Sequence, residues 1–163
     1  MLPGRMLLLI LSLTLIEGCV PSKTLDGPRH IRNAERYAEE GKPDEAIDEY
    51  RRHIEYRLSV EDRPEWENPF FYLLIIGDLQ LQKGSVDDAL ASYEEAEKNG
   101  VDRSLVADRY RHVGSCLAEQ GKLTDALRVL TQYRDRDPLL IDSMRDRIAR
   151  EIISRDESVK EHP

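Results

Sequence analysis

The sequence predicts an all-α chain: three stacked helix-turn-helix units, closed by one further helix, behind a short leader that does not join the fold. Three observations predict it. A pattern of small, acidic and glycine residues occurs three times, at intervals of 43 and 37 residues. The composition is rich in the helix formers Leu, Ala, Glu and Arg and poor in Phe, with 34 % charged residues. A run of eleven uncharged residues near the start, Met6 to Ile16, is set apart from everything after it.

The leader comes first in the chain. Arg5 precedes the apolar run, which has the length of a secretory h-region and is too short to cross a bilayer of roughly 30 Å. Ile16-Glu17-Gly18-Cys19 follows directly. This segment resembles the lipobox of bacterial lipoproteins: an aliphatic residue, a variable one, a small one, then cysteine. Glu17 departs from the Ala, Ser or Thr more usual at its position. The resemblance implies removal of residues 1–18 and acylation of Cys19 (palmitate among the chains), which would anchor the protein in a cell-envelope membrane. Val20, where a retention signal would have Asp, implies the outer membrane facing the periplasm if the organism is Gram-negative. Two other readings stand beside this one: a simple secretory signal with a coincidental cysteine, and an uncleaved anchor. Residues 19–26 would form a tether.

The repeats are read by overlay. Gly41, Gly84 and Gly121 are each followed five residues later by Ala46, Ala89 and Ala126, and an acidic residue precedes each alanine. Tyr50, Tyr93 and Leu130 stand four residues beyond, and Ala34, Gly77 and Gly114 twelve before. Glycine suits a turn that needs a left-handed backbone. The acidic residue meets the positive end of the second helix. Pro43 fits a first helical turn, and Ser85 with Asp88 reads as a capping box. The two small columns predict close approach of paired helices, with the aromatic or leucine filling the space beside it.

This pattern resembles the tetratricopeptide repeat, whose period is 34, over units 27–60, 70–103 and 107–140. The third unit carries it best, through Tyr110, Gly114, Leu117, Gly121, Ala126, Leu130 and Asp137-Pro138. The second has Gln80 at a usually large position. The first has Asn33 for Leu and His53 for a small residue. The resemblance implies an α-solenoid, a domain over residues 27–155, whose first helices line a concave face. Glu61 to Pro69 is inserted between units one and two, and its prolines predict a loop or an extended helix end. It contains Trp66, read either as a partner contact or as packed back onto the first unit. Asp137 and Pro138 start a capping helix to Ser154 with a stripe Leu140, Met144, Ile148, Ile152; a docking helix is the other reading. Residues 156–163 are expected to be a disordered tail.

Charge and motifs narrow the function. A formal charge of −8 without a basic cluster argues against nucleic acid as a partner. There is no Cys-x-x-Cys, no Gly-rich phosphate loop, no Gly-x-Ser-x-Gly elbow and no His pair at i, i+4 among His30, His53, His112 and His162. No catalytic, metal or cofactor site is therefore expected, and Cys116, the second of two cysteines, reads as a buried, inert side chain. The resemblance places Ile31, Glu35, Phe71, Leu74, Asp78, Arg111 and Ser115 in a partner-binding groove, with Glu119 at its edge. The clamp that some relatives use for a C-terminal carboxylate needs Lys and Asn or Arg, and Ile31, Glu35, Ile75, Asp108 and His112 stand there instead. The expected function is a membrane-anchored adaptor or assembly factor that binds another envelope protein through a peptide or helix. The alternative is a cell-wall glycan or small-ligand binder, or an accessory subunit of a cell-wall enzyme, with Trp66 stacking on a sugar.

Overall fold

The computed structural model describes residues 23–161, with side chains for 28–155. The expected leader, Cys19 and most of the expected tether lie outside these residues. Seven α-helices make up the described chain. They are α1 (Lys23–Glu39), α2 (Pro43–Leu58), α3 (Tyr72–Gln82), α4 (Val86–Lys98), α5 (Arg103–Glu119), α6 (Leu123–Gln132) and α7 (Pro138–Glu161), with short 3-10 turns at Pro69–Phe71 and Arg134–Arg136. The helices pair in sequence, α1 with α2, α3 with α4 and α5 with α6, and α7 packs on α6. The arrangement is an all-α solenoid of three tetratricopeptide-like units with a closing helix. None of the described helices is long and apolar enough to cross a membrane.

Each unit turns where the glycine column predicts. Gly41, Gly84 and Gly121 have φ of 71°, 83° and 76°, a region that L side chains reach only at a cost. The residue after each glycine donates its N–H to the carbonyl five residues back, Lys42 to Tyr37, Ser85 to Gln80 and Lys122 to Leu117, at 2.8 to 2.9 Å. That bond satisfies a carbonyl the ending helix would otherwise leave open. The acidic residues stand in the first turns of α2, α4 and α6, and Pro43 opens α2. The capping box does not form: Ser85 holds the cap position of α4 but makes no side-chain hydrogen bond there. Asp88 and its neighbour Asp87 act through charge alone.

The small columns are close contacts. An added Cβ on Gly77 would stand 2.3 Å from Cε1 of Tyr93, and one on Gly114 would stand 2.7 Å from Leu130. Glycine is thus required because the partner's large side chain occupies the space a methyl group would take. The core continues from unit to unit through Tyr93, Tyr110 and Tyr133. Tyr110 meets Tyr93 edge-on at 6.1 Å and stacks on Tyr133 at 3.7 Å.

The departures of the first two units have partners. Gln80 accepts a 2.7 Å hydrogen bond from the buried Ser92 hydroxyl. His53 is buried edge-on against Tyr72 at 4.6 Å. Glu49, also buried, faces His30 at 2.5 Å and Arg52 at 2.9 Å. Burial works against its charge, but the hydrogen bond from His30, the charges of His30 and Arg52 and a hydrogen bond from Asn33 outweigh burial and hold its carboxyl below the usual range.

Three boundaries differ from expectation. α1 starts at Lys23 rather than 27, and α5 at Arg103 rather than 107. Asp102 caps α5, its carboxylate accepting from Ser104 N–H at 2.8 Å, so the extra residues between units become helix. α7 is capped by Asp137, which accepts from Leu140 N–H at 3.3 Å, and runs past Ser154 to Glu161 through residues expected to be a tail. The Asp, Glu, Val and Lys there contain no helix breaker. The apolar stripe is also corrected. Ile141 and Ile148 are buried, with Met144 and Ile152 against the core, while Leu140 is exposed. A strict four-residue spacing rotates about 40° per step around a helix of about 3.6 residues per turn, which carries Leu140 off the buried face.

Candidate protein-binding groove

A depression of about 720 Å³ lies between α3 and α5, with Met144 of α7 also in its lining. Asp78 reaches it from α3, and Asp108, Arg111, His112, Ser115 and Cys116 from α5. These α5 positions recur at three and four residues, so one helical face supplies them.

The charges in the groove are organised in pairs. Asp78 accepts a 2.8 Å hydrogen bond from the Tyr93 hydroxyl and stands 3.0 Å from Arg109 Nε. Arg111 pairs with Asp108, and its Nε lies 3.7 Å from Asp137. Two arginines therefore face aspartates within the wall, and the groove has no single dominant sign. Burial, with Asp78 beside it, pushes the Tyr93 phenol far above its usual range, so it stays a hydrogen-bond donor and fixes Asp78. Ser115 donates to Glu119 at 3.1 Å.

Cys116 differs from expectation. It is half-buried, lines the groove, and places its sulfur 3.6 Å from His112 Nε2. Burial, then the Glu119 charge, pushes the thiol up, so it remains protonated at neutral pH and lacks thiolate reactivity. No group of three or more His, Cys, Asp or Glu among the described residues has the geometry to hold a metal ion.

The expected groove residues separate into several places. Asp78, Arg111 and Ser115 come together as read. Leu74 does not belong with them. It is 1 % exposed and part of the core, because α3 is apolar around most of its circumference and shows Ile75, not Leu74, toward the partly exposed side. Glu35 is exposed on α1, and its charge reaches the buried Tyr50 and the half-buried Tyr72. Ile31 lines a second cleft with Pro28, His53, Arg57 and Tyr72. Phe71 lines a third with Trp66, Pro69 and Leu105. Trp66 is 85 % exposed, which excludes the reading that it packs back onto the first unit. The inserted segment is a loop, held by a bidentate Arg57–Glu67 pair (Nε to Oε1, 2.5 Å) and by Asn68, whose amide donates to Asn99 O at 3.0 Å.

Sequence reasoning missed Leu81, Gln82, Arg109, Gln120 and Met144 in the groove. Gln120 extends the Asp108, His112, Ser115 face by one more turn and was within reach of a helical-wheel reading. Arg109, three residues before His112 and seven before Cys116, lies on the same side of α5 and was equally within reach. Met144 arrives only because α7 folds back.

Comparison with known proteins agrees with the fold. No curated protein matches the chain. Residues 74–140, from α3 into the start of α7, match the sequence profile described as tetratricopeptide repeat. The fold is similar to the TPR2AB-domain:pHSP90 complex of yeast Sti1, with a TM-score of 0.56 and 15 % identity over 83 % of this chain and 51 % of that one. The chain thus spans about half the length of that structure. The described residues have the fold of a tetratricopeptide solenoid, and residues 74–140 carry the sequence signature of the tetratricopeptide repeat family.

Proposed function

We propose that this chain is a lipid-anchored protein–protein interaction module of the bacterial cell envelope. In this reading acylated Cys19 holds it in a membrane, and the α3–α5 groove binds a segment of another envelope protein. The observation that carries the reading is the groove itself: an open face on the first helices of the second and third units, with polar groups pre-oriented by Asp78–Arg109 and Asp108–Arg111 pairs. A wall already fixed by internal pairing loses little side-chain freedom on binding. Its mixed sign suits a partner with alternating charges around an apolar contact at Met144 and Leu81. A tetratricopeptide fold is most often an interaction surface, and the module works without catalysis, metal or cofactor. The yeast Sti1 structure is titled as a complex with pHSP90, which makes a peptide-like partner a natural expectation for a groove of this kind.

Two measurements test it. The intact mass of protein extracted from membranes is expected to correspond to a chain that starts at Cys19 with acyl chains added. A Cys19→Ser variant is expected to lose both processing and membrane attachment. A photo-crosslinking residue at Ser115 is expected to capture one envelope protein that the same residue at Arg128, on α6, does not. Equal capture at both positions removes the groove from the proposal, and an unprocessed or soluble wild type removes the anchor. The glycan-binding alternative draws on the exposed Trp66 alone, and unchanged Trp66 fluorescence on titration with peptidoglycan fragments eliminates it.

A further inference from the structure

The large apolar side chains left exposed among the described residues are concentrated in one place. Leu58, Trp66, Phe71, Leu105, Leu139 and Leu140 lie at the end of α2, in the loop and 3-10 turn between α2 and α3, or at the starts of α5 and α7, along the edge where units join; only Ile153 does not. Trp66, Phe71 and Leu105 line a single open cleft of about 540 Å³ with Tyr72 and Val101 beneath them. A cluster of this kind on a solvated surface marks a contact with something apolar.

The start of α1 belongs to the same edge. Pro28, in its second turn, shares a cleft with Arg57, Glu67 and Tyr72, and the last two also line the Trp66 cleft. Val20, Pro21 and Ser22 separate Cys19 from the first residue of α1. A link of that length spans at most about 14 Å when fully extended. An acyl anchor on Cys19 therefore brings this edge, and not the edge of glycine turns, against the membrane surface.

We propose that the Trp66–Phe71–Leu105 cleft sits in the headgroup layer of a zwitterionic bilayer and orients the solenoid on its anchor. This inference rests on the lipid-anchor reading of Cys19. Indole is suited to that layer, having an apolar ring and one N–H donor. The ionic groups nearby are largely spent on each other, in the Arg57–Glu67, Arg103–Asp135 and Arg136–Glu97 pairs. Glu61, Asp62 and Glu65 against Arg63 leave the loop net acidic, which selects against anionic lipid. α1, α3 and α5 then stand with their N-termini toward the bilayer, and the groove opens sideways, toward proteins on the same membrane.

Trp66 is the only tryptophan and reports its own environment. The full, acylated protein is placed in phosphatidylcholine vesicles, alone and with bromine-labelled acyl chains. The expected result is at least two-fold quenching of Trp66 by the brominated lipid, and iodide quenching several-fold weaker than in urea. Replacing a third of the lipid with phosphatidylglycerol should reduce the lipid quenching, and Leu105→Asp should reduce it at least two-fold. Protein that floats with the vesicles while Trp66 stays open to iodide and untouched by brominated lipid overturns the inference and leaves the anchor standing. A shielded Trp66 without lipid quenching also overturns it, in favour of a second protein copy in the cleft. Protein that carries no acyl chain and does not float overturns the anchor reading and this inference with it.

Discussion

Along one edge of the solenoid the chain reverses within three residues, on Gly41, Gly84 and Gly121. Neighbouring units there are linked by the Lys83–Asp44 ion pair, and the large apolar side chains are covered, apart from Ile153 on α7. Along the other edge the connections differ in length, two contain 3-10 turns, and six large apolar side chains are exposed. The difference has a physical origin. A turn inside a unit must bring two helices to contact distance, so its backbone admits few solutions and glycine is retained. A connection between units has only to span them, so extra residues are accommodated as loop, as at Glu61–Pro69, or as an added helical turn, as at the start of α5. Loop lengthening costs little, about 0.6 kcal/mol for each doubling. The free edge is where this protein has room for chemistry of its own.

Substitutions on and between the two edges sharpen that contrast. The largest effect is expected in the interior that joins them. Gly77→Ala drives a methyl group into the wholly buried Tyr93 ring and should destabilise the fold by about 3 kcal/mol, even though Ala is favoured over Gly in a helix by about 1 kcal/mol. Urea unfolding followed by circular dichroism measures it. Next come the glycine turns: Gly41→Ala and Gly84→Ala meet open space but a φ near 70–80°, and should cost about 1 kcal/mol each. Equal costs for Gly77→Ala and Gly84→Ala would erase the distinction between packing and backbone requirements.

On the free edge a pH effect is expected. The Arg57 hydrogen bond, opposed by burial and aided by the charges of Arg57 and Arg63, holds the Glu67 carboxyl below its usual value. Its folded pKa is thus below the unfolded value of about 4.3, so the stabilisation is complete above that pH and is lost as pH falls through the folded pKa. Glu67→Gln should show a smaller drop in urea midpoint between pH 7 and pH 3 than the wild type. The smallest effect is expected for Trp66→Ala, which removes an exposed ring and should change stability by less than about 0.5 kcal/mol. A cost of 2 kcal/mol would place Trp66 in the fold rather than on a contact surface.

Legibility in the sequence followed the same division. The three turns, the close-approach glycines and the Asp137-Pro138 start of α7 could be read because each answers to local backbone or pairwise steric demands. Asp78, Arg111 and Ser115 were placed in the groove by the resemblance to the repeat family, and the structure brings them together there. Leu74 was misplaced because α3 is apolar on nearly all sides, so periodicity there carries no direction. Trp66 was undecided because a loop residue has no periodic context.

By itself, the sequence determined that this chain folds as repeated helical hairpins and where each hairpin turns. Those features depend on residues within a single unit, where helix pitch and hard-sphere contact leave few alternatives. Only the tertiary structure decided that Gln80 pairs with Ser92, that Arg109 reaches Asp78, that Met144 joins the lining of the groove, and that the apolar surplus gathers on one edge. Each of these joins helices distant along the chain, and its existence depends on how units stack, which no local pattern encodes.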